Sequence, residues 1–443
     1  MDDTLLDEVV GAALKAGADA AEAVYAERQA LSIGVRLGAL EEVEREESQD
    51  LGLRVFVGQR QAVVSGSDFS PAARARLVER AVAMARLAPE DPYAGLAAPE
   101  RLARGEGPDL DLYDPAEPSA ETLEQRAQAA EDAARATPGV SNSDGASAAW
   151  SVSRWRMLTS GGFRGVHEAS GFSVSAAAIA HDGEVMERAG DGRRTRHQAD
   201  LPAAEEIGAE AGRRAVARLG ARKLESRTAA VIFENRLAAS LLSPLVGAIA
   251  GPSVARGNSF LKDRLGQPVF AAGIEVIDDP HRPRGLGSSP YDDEGVANQR
   301  RALVDKGVLT TWLLNSSSAR QLGLETTGHA SRGLAGAPGV SPTNLHLAPG
   351  GEDLAGLMRQ TGSGVLVTSM FGPSLNGNTG DWSAGVSGMW FEDGEIAFPV
   401  TEITVAGNLL DIYARLVPGS DLEFRGATNA PSLLVDAMAV AGR

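Results

Sequence analysis

The chain has no cysteine among its 443 residues, which excludes disulfides, thiolate nucleophiles and every metal site with a sulfur ligand. Histidine is nearly as scarce. The six are His167, His181, His197, His281, His329 and His346, none between 198 and 280 and no two closer than fourteen residues. A zinc helix of the HExxH or HExxxH kind places two imidazoles about one turn apart, so no such motif is present; three distant histidines meeting at one ion stay open. There is no GxSxG, no GxGxxG and no glycine followed by lysine, which removes the nucleophile elbow, the dinucleotide fingerprint and the P-loop. Long apolar runs are missing too. The most apolar segment, Leu241 to Ala255, is broken by Ser243, Pro244, Gly251 and Pro252 and falls short of the ~18 residues that a membrane span needs.

Lysine occurs only at 15, 223, 262 and 306, and acids outnumber bases to give a formal charge of -17 and a pI near 4.9. A phosphate backbone is bound by a clustered basic surface. The one cluster here, Arg193, Arg194, Arg196 and His197, follows Asp191-Gly192 and reads as a solvated loop, so no nucleic-acid partner is expected. The opening Met-Asp-Asp-Thr lacks the basic and apolar regions of a secretory signal. A cytoplasmic protein with no membrane partner is the expectation.

The expected fold class is α+β. Residues 1–88 form an α/β unit. Leu5, Leu6, Val9, Val10, Ala13 and Leu14 share one helix face, Leu31, Ile33, Val35 and Leu37 alternate as a strand, and Gly52–Val57 turns back into Gln61–Ser65. Glu41 to Glu47 reads as a solvated strand or turn. A helix runs from Pro71 to about Leu87, capped by Asp68 or Ser70. Six prolines between Pro89 and Pro118 make residues 89–118 an extended connection. Residues 119–221 are a second α/β unit packing with the first, with helices at Glu121–Ala136 and Leu201–Leu219 and strands at Ala148–Ser160 and Phe172–Ile179. Residues 222–443 form a glycine-rich, mostly antiparallel β domain with one prominent helix at about 234–250. Its strands are expected at Ile274–Asp278, Leu309–Asn315, Gly364–Met370, Trp382–Phe391, Glu395–Val400 and Ser432–Val440.

The decisive stretch is Thr228 to Phe260. Ala229–Phe233 is a short strand, after which Leu237, Leu241, Leu242, Leu245, Val246 and Ile249 recur at helical spacing, with Pro244 expected to kink the helix near its middle. Glu234 and Asn235 occupy the first turn, the positive end of the helix dipole. A strand feeding an exposed helix start is a common place for metal or phosphate chemistry, yet no ligand set is present. Ser259-Phe-Leu-Lys262 matches an SxxK pattern without its KTG and SDN companions and reads as chance. Asp292-Asp293-Glu294-Gly295 can gather a hard cation, but the spacing is not that of a calcium loop, and an acidic turn is the simpler reading. In Asn376 to Trp390, alternate small residues leave room for an extended peptide to approach the sheet, or mark a bulged, tightly packed strand. Both readings stay open.

The segments SLLSPLVGAIAGPSVARGNSFLKDRLGQ, SSPYDDEGVANQRRALVDKGVLTTWLLNSSSARQLGL, NTGDWSAGVSGMWFEDGEIAFPV and DLEFRGATNAPSLLVDAMAV, with GLRVFVGQRQAVVSGSDFS near the start, strongly resemble the TldD/PmbA family, in particular its PmbA (TldE) branch. The resemblance implies a cytoplasmic two-subunit zinc metallopeptidase that degrades or matures unfolded peptides. In that family the TldD-type subunit carries HExxxH on the helix after this strand and a cysteine ligand near its carboxy terminus. Here Glu234-Asn-Arg-Leu-Ala-Ala-Ser240 stands in that region, so the resemblance assigns this chain no catalytic residue and no metal. It implies a non-catalytic subunit, with zinc in a TldD-like HExxxH partner, as a heterodimer; a homodimer is possible in isolation. Asn376, Asn378, Thr379, Gly380, Asp381, Ser383 and Gly385 are the candidate contacts to peptide or partner, with Glu234 and Asn235 lining the helix end. The alternatives are a self-sufficient hydrolase using a metal at Asp292–Glu294, and a peptide-binding adaptor without a peptidase partner.

Overall fold

A computed structural model describes residues 4–105, 107–183 and 185–442. The two amino-terminal units share one six-stranded antiparallel sheet. Its strands are β1 (Ala20–Arg36), β2 (Ala39–Val57), β3 (Arg60–Gly66), β4 (Val140–Thr159), β5 (Arg164–His181) and β6 (Met186–Thr195), in the order β3-β2-β1-β4-β5-β6. The join is the β1–β4 pairing, from Glu22 opposite Thr159 to Val35 opposite Ala146. The acidic run Glu41–Glu47 is part of β2, exposed and paired only with β1.

Side chains alternate across a strand, and this sheet uses the two faces differently. Ala21, Ala23, Tyr25, Ile33 and Val35 of β1 pack under helices α1 (Thr4–Lys15), α2 (Pro71–Leu87), α3 (Ala120–Ala136) and α4 (Ala204–Val216). Ser70 caps α2, its hydroxyl accepting from the Ala73 amide at 3.3 Å. On the other face, one end meets the carboxy-terminal half: the Arg54 guanidinium bonds Glu22 at 3.1 Å, Glu22 also pairs with Arg332, and all three side chains are almost fully buried. The other end, floored by small residues such as Ser32, Gly34, Ser147 and Ser175, is open.

The large sheet of the carboxy-terminal half is built from β7 (Arg227–Phe233), β8 (Gly364–Leu375), β9 (Asp381–Glu392), β10 (Glu395–Asn408), β11 (Leu416–Pro418) and β12 (Leu433–Ala441). Their order is β10-β9-β8-β7-β12-β11, and the sheet curls until β10 also pairs with β12. Only β7 and β8 run parallel within it. Several strands outrun their predicted limits, because β8 and β10 continue as the two sides of hairpins with β9. Two predicted strands shrink: pairing covers only Val276–Asp278 and Val308–Leu309 in a smaller sheet.

The expected single helix after β7 is broken. A short α5 (Asn235–Ala238) passes through a 3-10 turn at Ala239–Leu241 into α6 (Leu242–Ile249), and a further turn spans Gly251–Ala255. Pro244 therefore lies in the first turn of α6, where proline is tolerated, and the break falls before it, at the 3-10 turn. Leu241, Leu242, Leu245 and Ile249 are buried against Val231, Phe233, Val365, Val367, Trp382 and Val386 of the sheet. Among the described residues, no helix is long and apolar enough to cross a membrane.

Candidate functional site

The strand-to-helix corner at 233–236 is set by pairing. Phe233 is fully buried, and the Glu234 amide donates to the Val367 carbonyl at 3.1 Å, which ends β7 against β8. Glu234 does not cap α5 with its side chain. Instead its carboxylate accepts two hydrogen bonds from the Arg214 guanidinium of α4, at 3.1 and 2.8 Å. Arg214 also lies 2.7 Å from Glu210, Arg236 pairs with Asp191, and Arg425 reaches Glu423 at 2.8 Å and Asp191 at 3.4 Å. Burial alone would lower the Arg214 pKa, but its bonds to Glu234 and the charges of Glu234, Glu210 and Asp191 outweigh that and raise it. For Arg236 burial wins, helped by Arg214 beside it, and the shift is downward. Asn235 is tied equally firmly: its side chain donates to the Asp421 carbonyl at 2.8 Å, and its amide donates to the Ser432 hydroxyl at 3.2 Å.

These residues do not fit a divalent metal. Interleaved guanidiniums repel a cation, and the carboxylates that would ligate it already bond arginine. Among the described residues, no group of three or more histidines, aspartates and glutamates is arranged to hold a metal ion. The histidines are dispersed: buried His329, for example, bonds Thr327 at 2.8 Å and Asp278 at 3.1 Å, and His281 bonds Asn298 at 2.8 Å. At the acidic turn, Asp292 accepts from the amides of Glu294, Val296 and Ala330, Glu294 from that of Ser316, and Asp293 from that of Arg332, all at 2.8–3.0 Å. Those acceptor sites hold loops in place. Ser259 is buried and donates to the Ala248 carbonyl at 2.6 Å, while Lys262 is exposed, so the SxxK spacing is without consequence.

The other sequence-selected residues fall in the β8–β9 hairpin and the start of β9. Asn376, Asn378, Thr379 and Gly380 form its loop, which is fastened to helix α7 (Leu409–Arg415): the Asn408 side chain donates to the Thr379 carbonyl at 2.9 Å and to Asp381 at 3.0 Å. Thr379 in turn bonds the Asp381 carboxylate at 2.7 Å. Gly380, with φ 82°, sits against Phe260. Ser383 and Gly385 are on β9, which has β8 on one side and β10 on the other, so a peptide cannot add to this strand's edges. The small residues have the packing role: a Cβ on Gly388 would lie 1.9 Å from the Leu366 carbonyl oxygen next to two register shifts, and one on Gly385 would lie 2.3 Å from the Phe371 ring. The hairpin loop and the corner at 234–235 are distinct places, tied to different elements.

What the sequence reading missed is the edge beside them. Past Val367, β8 has β9 as its strand partner and leaves β7 behind. Phe371 to Leu375 is exposed, with Phe371 54% and Leu375 41% accessible. Gly372-Pro373 was the available signal, since proline within a strand marks an edge. The Arg214–Glu234 clamp had none, because its halves are twenty residues apart on different elements.

An α+β chain with a curled antiparallel sheet and a strand-to-helix corner whose acid is paired with arginine is thus defined. Models of the PmbA/TldA metallopeptidase domain 1, central domain and C-terminal domain match residues 21–85, 113–219 and 226–442. The chain is 38% identical to a protein named metalloprotease PmbA from Escherichia coli O157:H7, over 99% of this chain and 96% of that one. A metalloprotease PmbA homolog from Haemophilus influenzae is 36% identical over 97% and 94%. A crystal structure of a putative modulator of DNA gyrase from Bacteroides thetaiotaomicron superposes with a TM-score of 0.92 at 26% identity, over 99% of this chain and 98% of that one. That of TldE from Thermococcus kodakarensis gives 0.88 at 20% identity over 99% and 100%, a likeness of fold. The chain belongs to the PmbA/TldD metallopeptidase family.

Proposed function

We propose that this chain is the non-catalytic subunit of a cytoplasmic two-subunit zinc metallopeptidase. A TldD-like HExxxH subunit supplies the zinc, and this chain helps hold an extended or unfolded peptide. The observation that carries the reading is the clamp on Glu234: the acid at the start of the helix is doubly bonded to Arg214, with Arg236 beside it, so that both of its oxygens are engaged by guanidinium. The peptide is held along the exposed edge of β8 from Thr368 to Leu375, whose free backbone groups can receive a strand and whose Phe371 and Leu375 offer apolar contact.

Peptide hydrolysis is to be measured for this chain alone, for an HExxxH-containing paralogue alone, and for the two together with zinc. Activity only in the mixture, with a complex of both chains on size exclusion, is the expected result; turnover by this chain alone would overturn the reading. The same assay with Gly385→Val tests the peptide-holding part. The new side chain evicts Phe371, which is free to swing into solvent, so the subunit stays folded while the mixture loses most of its activity, ~tenfold or more if one apolar anchor is lost. Full activity would remove β8 and β9 from the peptide path.

A further inference from the structure

We propose that the junction between the end of β6 and the loops at 282–286 and 424–426 is a binding site for a small phosphate dianion, as inorganic phosphate or a phosphomonoester. The junction encloses a cavity of about 290 Å³ lined by Arg194, Arg196, Arg282 and Arg284 together with Asp200 and Phe424. Most arginines elsewhere in the molecule face carboxylates; three of these four do not. Among the described residues the Arg196 guanidinium is satisfied only by main-chain carbonyls, those of Ser170 at 3.0 Å, Leu286 at 2.6 Å and Gly285 at 3.4 Å. Such carbonyls supply dipoles but no counter-charge. The Arg282 guanidinium carbon lies over the Phe424 ring, 3.4 Å from its centroid, which orients the fork, and among the described residues Arg282 forms no ion pair. Arg194 forms no ion pair among the described residues. Arg284 alone has acids, Asp111 at 2.6 Å and Asp200 at 3.1 Å.

Four guanidiniums face Asp111 and Asp200, with Asp114 also within electrostatic range of Arg284, which leaves a local positive surplus in a chain whose formal charge is -17. His346, edge-on to Phe424, adds none: burial and then nearby Arg300 and Arg282 push its pKa down. Burial, with Arg194 close by, likewise lowers Arg196 to about 10, the mark of a cation that lacks a partner. A dianion matches the surplus, and planar forks suit the oxygens of a tetrahedral phosphate. The volume lies near the lower limit of ~300 Å³ for ligand pockets, which favours a single phosphoryl group over a nucleotide. Since one wall belongs to the amino-terminal sheet and the other to carboxy-terminal loops, an occupant would brace the two halves. The inference does not rest on the peptidase reading and is tested on this chain alone.

The experiment is calorimetric titration of the full chain at fixed ionic strength with inorganic phosphate, phosphoserine, succinate and chloride, alongside thermal denaturation. Saturable one-to-one binding of a phosphate species and a raised melting midpoint are expected. Tighter phosphoserine binding assigns the monoester, and equal or weaker binding the free ion. Arg194→Gln, on an exposed side chain, and Arg282→Gln, which also loses the contact with Phe424, should each weaken binding about tenfold, the cost of one charge-assisted hydrogen bond, with melting in chloride unchanged for the first and slightly lowered for the second. Heats of dilution alone, phosphate binding indifferent to both substitutions, or succinate binding as tightly as phosphate would each overturn the site.

Discussion

Glu234 and Asp292 both lie where the sequence leaves room for metal chemistry, and the chain disposes of them in opposite ways. Glu234 is matched by a side chain from another element, Arg214 of α4, with Arg236 of its own helix farther off. Asp292 is matched by amides of its own turn and of the loop at 330. Burial, with Glu294 nearby, pushes its pKa well above the carboxylate range despite those amides. An acid neutralised across elements can be exchanged for other chemistry without unmaking the local backbone. One that satisfies three backbone donors cannot. This difference gives the two sites unlike responses to mutation.

The largest effect is expected at the turn. Asp292→Ala leaves the amides of Glu294, Val296 and Ala330 without their acceptor; at ~1–3 kcal/mol for each unsatisfied buried donor, partly relieved by entering water, the loss should be about 3 kcal/mol or more. Relief of the buried acid works the other way but is smaller, since the aspartate already tends toward its neutral form. Urea denaturation measures it. A loss under about 1 kcal/mol would mean that the turn is not held as described, and would return the carboxylates to the list of possible ligands.

At the corner the effect is smaller and separates structure from catalysis. Glu234→Gln keeps one acceptor for Arg214 but removes the charge. With the pair's side chains 17–18% exposed, screening limits the loss to about 1–2 kcal/mol. Hydrolysis by the mixed complex should change less than tenfold. A fall of a hundredfold or more, the order expected on removing a general base, would make Glu234 catalytic and break the contrast with Asp292.

Much of this arrangement was legible in the sequence because it is local. Period-2 alternation at Leu31–Leu37 and Glu392-Asp393-Gly394 placed strands and a hairpin, and Ser70-Pro71 placed a helix start. The missing histidines and cysteine excluded a helical zinc motif before any fold was known. The acidic stretch at 292–295 read as a turn, and its carboxylates accept from backbone amides there. What stayed hidden was long-range: that β1 pairs with β4 across more than a hundred residues and fuses two units into one sheet, that β9 lies inside its sheet while β8 has the free edge, and that Arg214 reaches Glu234. Arg196 illustrates the same limit. Its neighbours in sequence suggest a solvated loop, and only the chain returning at 282–286 shows that it is enclosed.

The smallest effect concerns pH and isolates charge from hydrogen bonding within the turn. Burial raises the pKa of Asp293, against the opposing amide and charge of Arg332. The folded chain therefore retains a proton that the unfolded chain releases near the ordinary aspartate value of ~3.9. Between that value and the raised folded one, the native state binds more protons, so stability falls as pH rises. The contribution is most favourable below the unfolded pKa, and the penalty is complete above the folded one. Asparagine at 293 can still accept from the Arg332 amide, now at 2.8 Å, but has no proton to lose. Stability of Asp293→Asn relative to wild type should thus increase from pH 4 to pH 7, by at most about 1 kcal/mol, as read from urea curves at the two values. A difference independent of pH would show that Asp293 is solvated like an ordinary surface acid, and that the amide-held turn is less closed than the arginine-held corner.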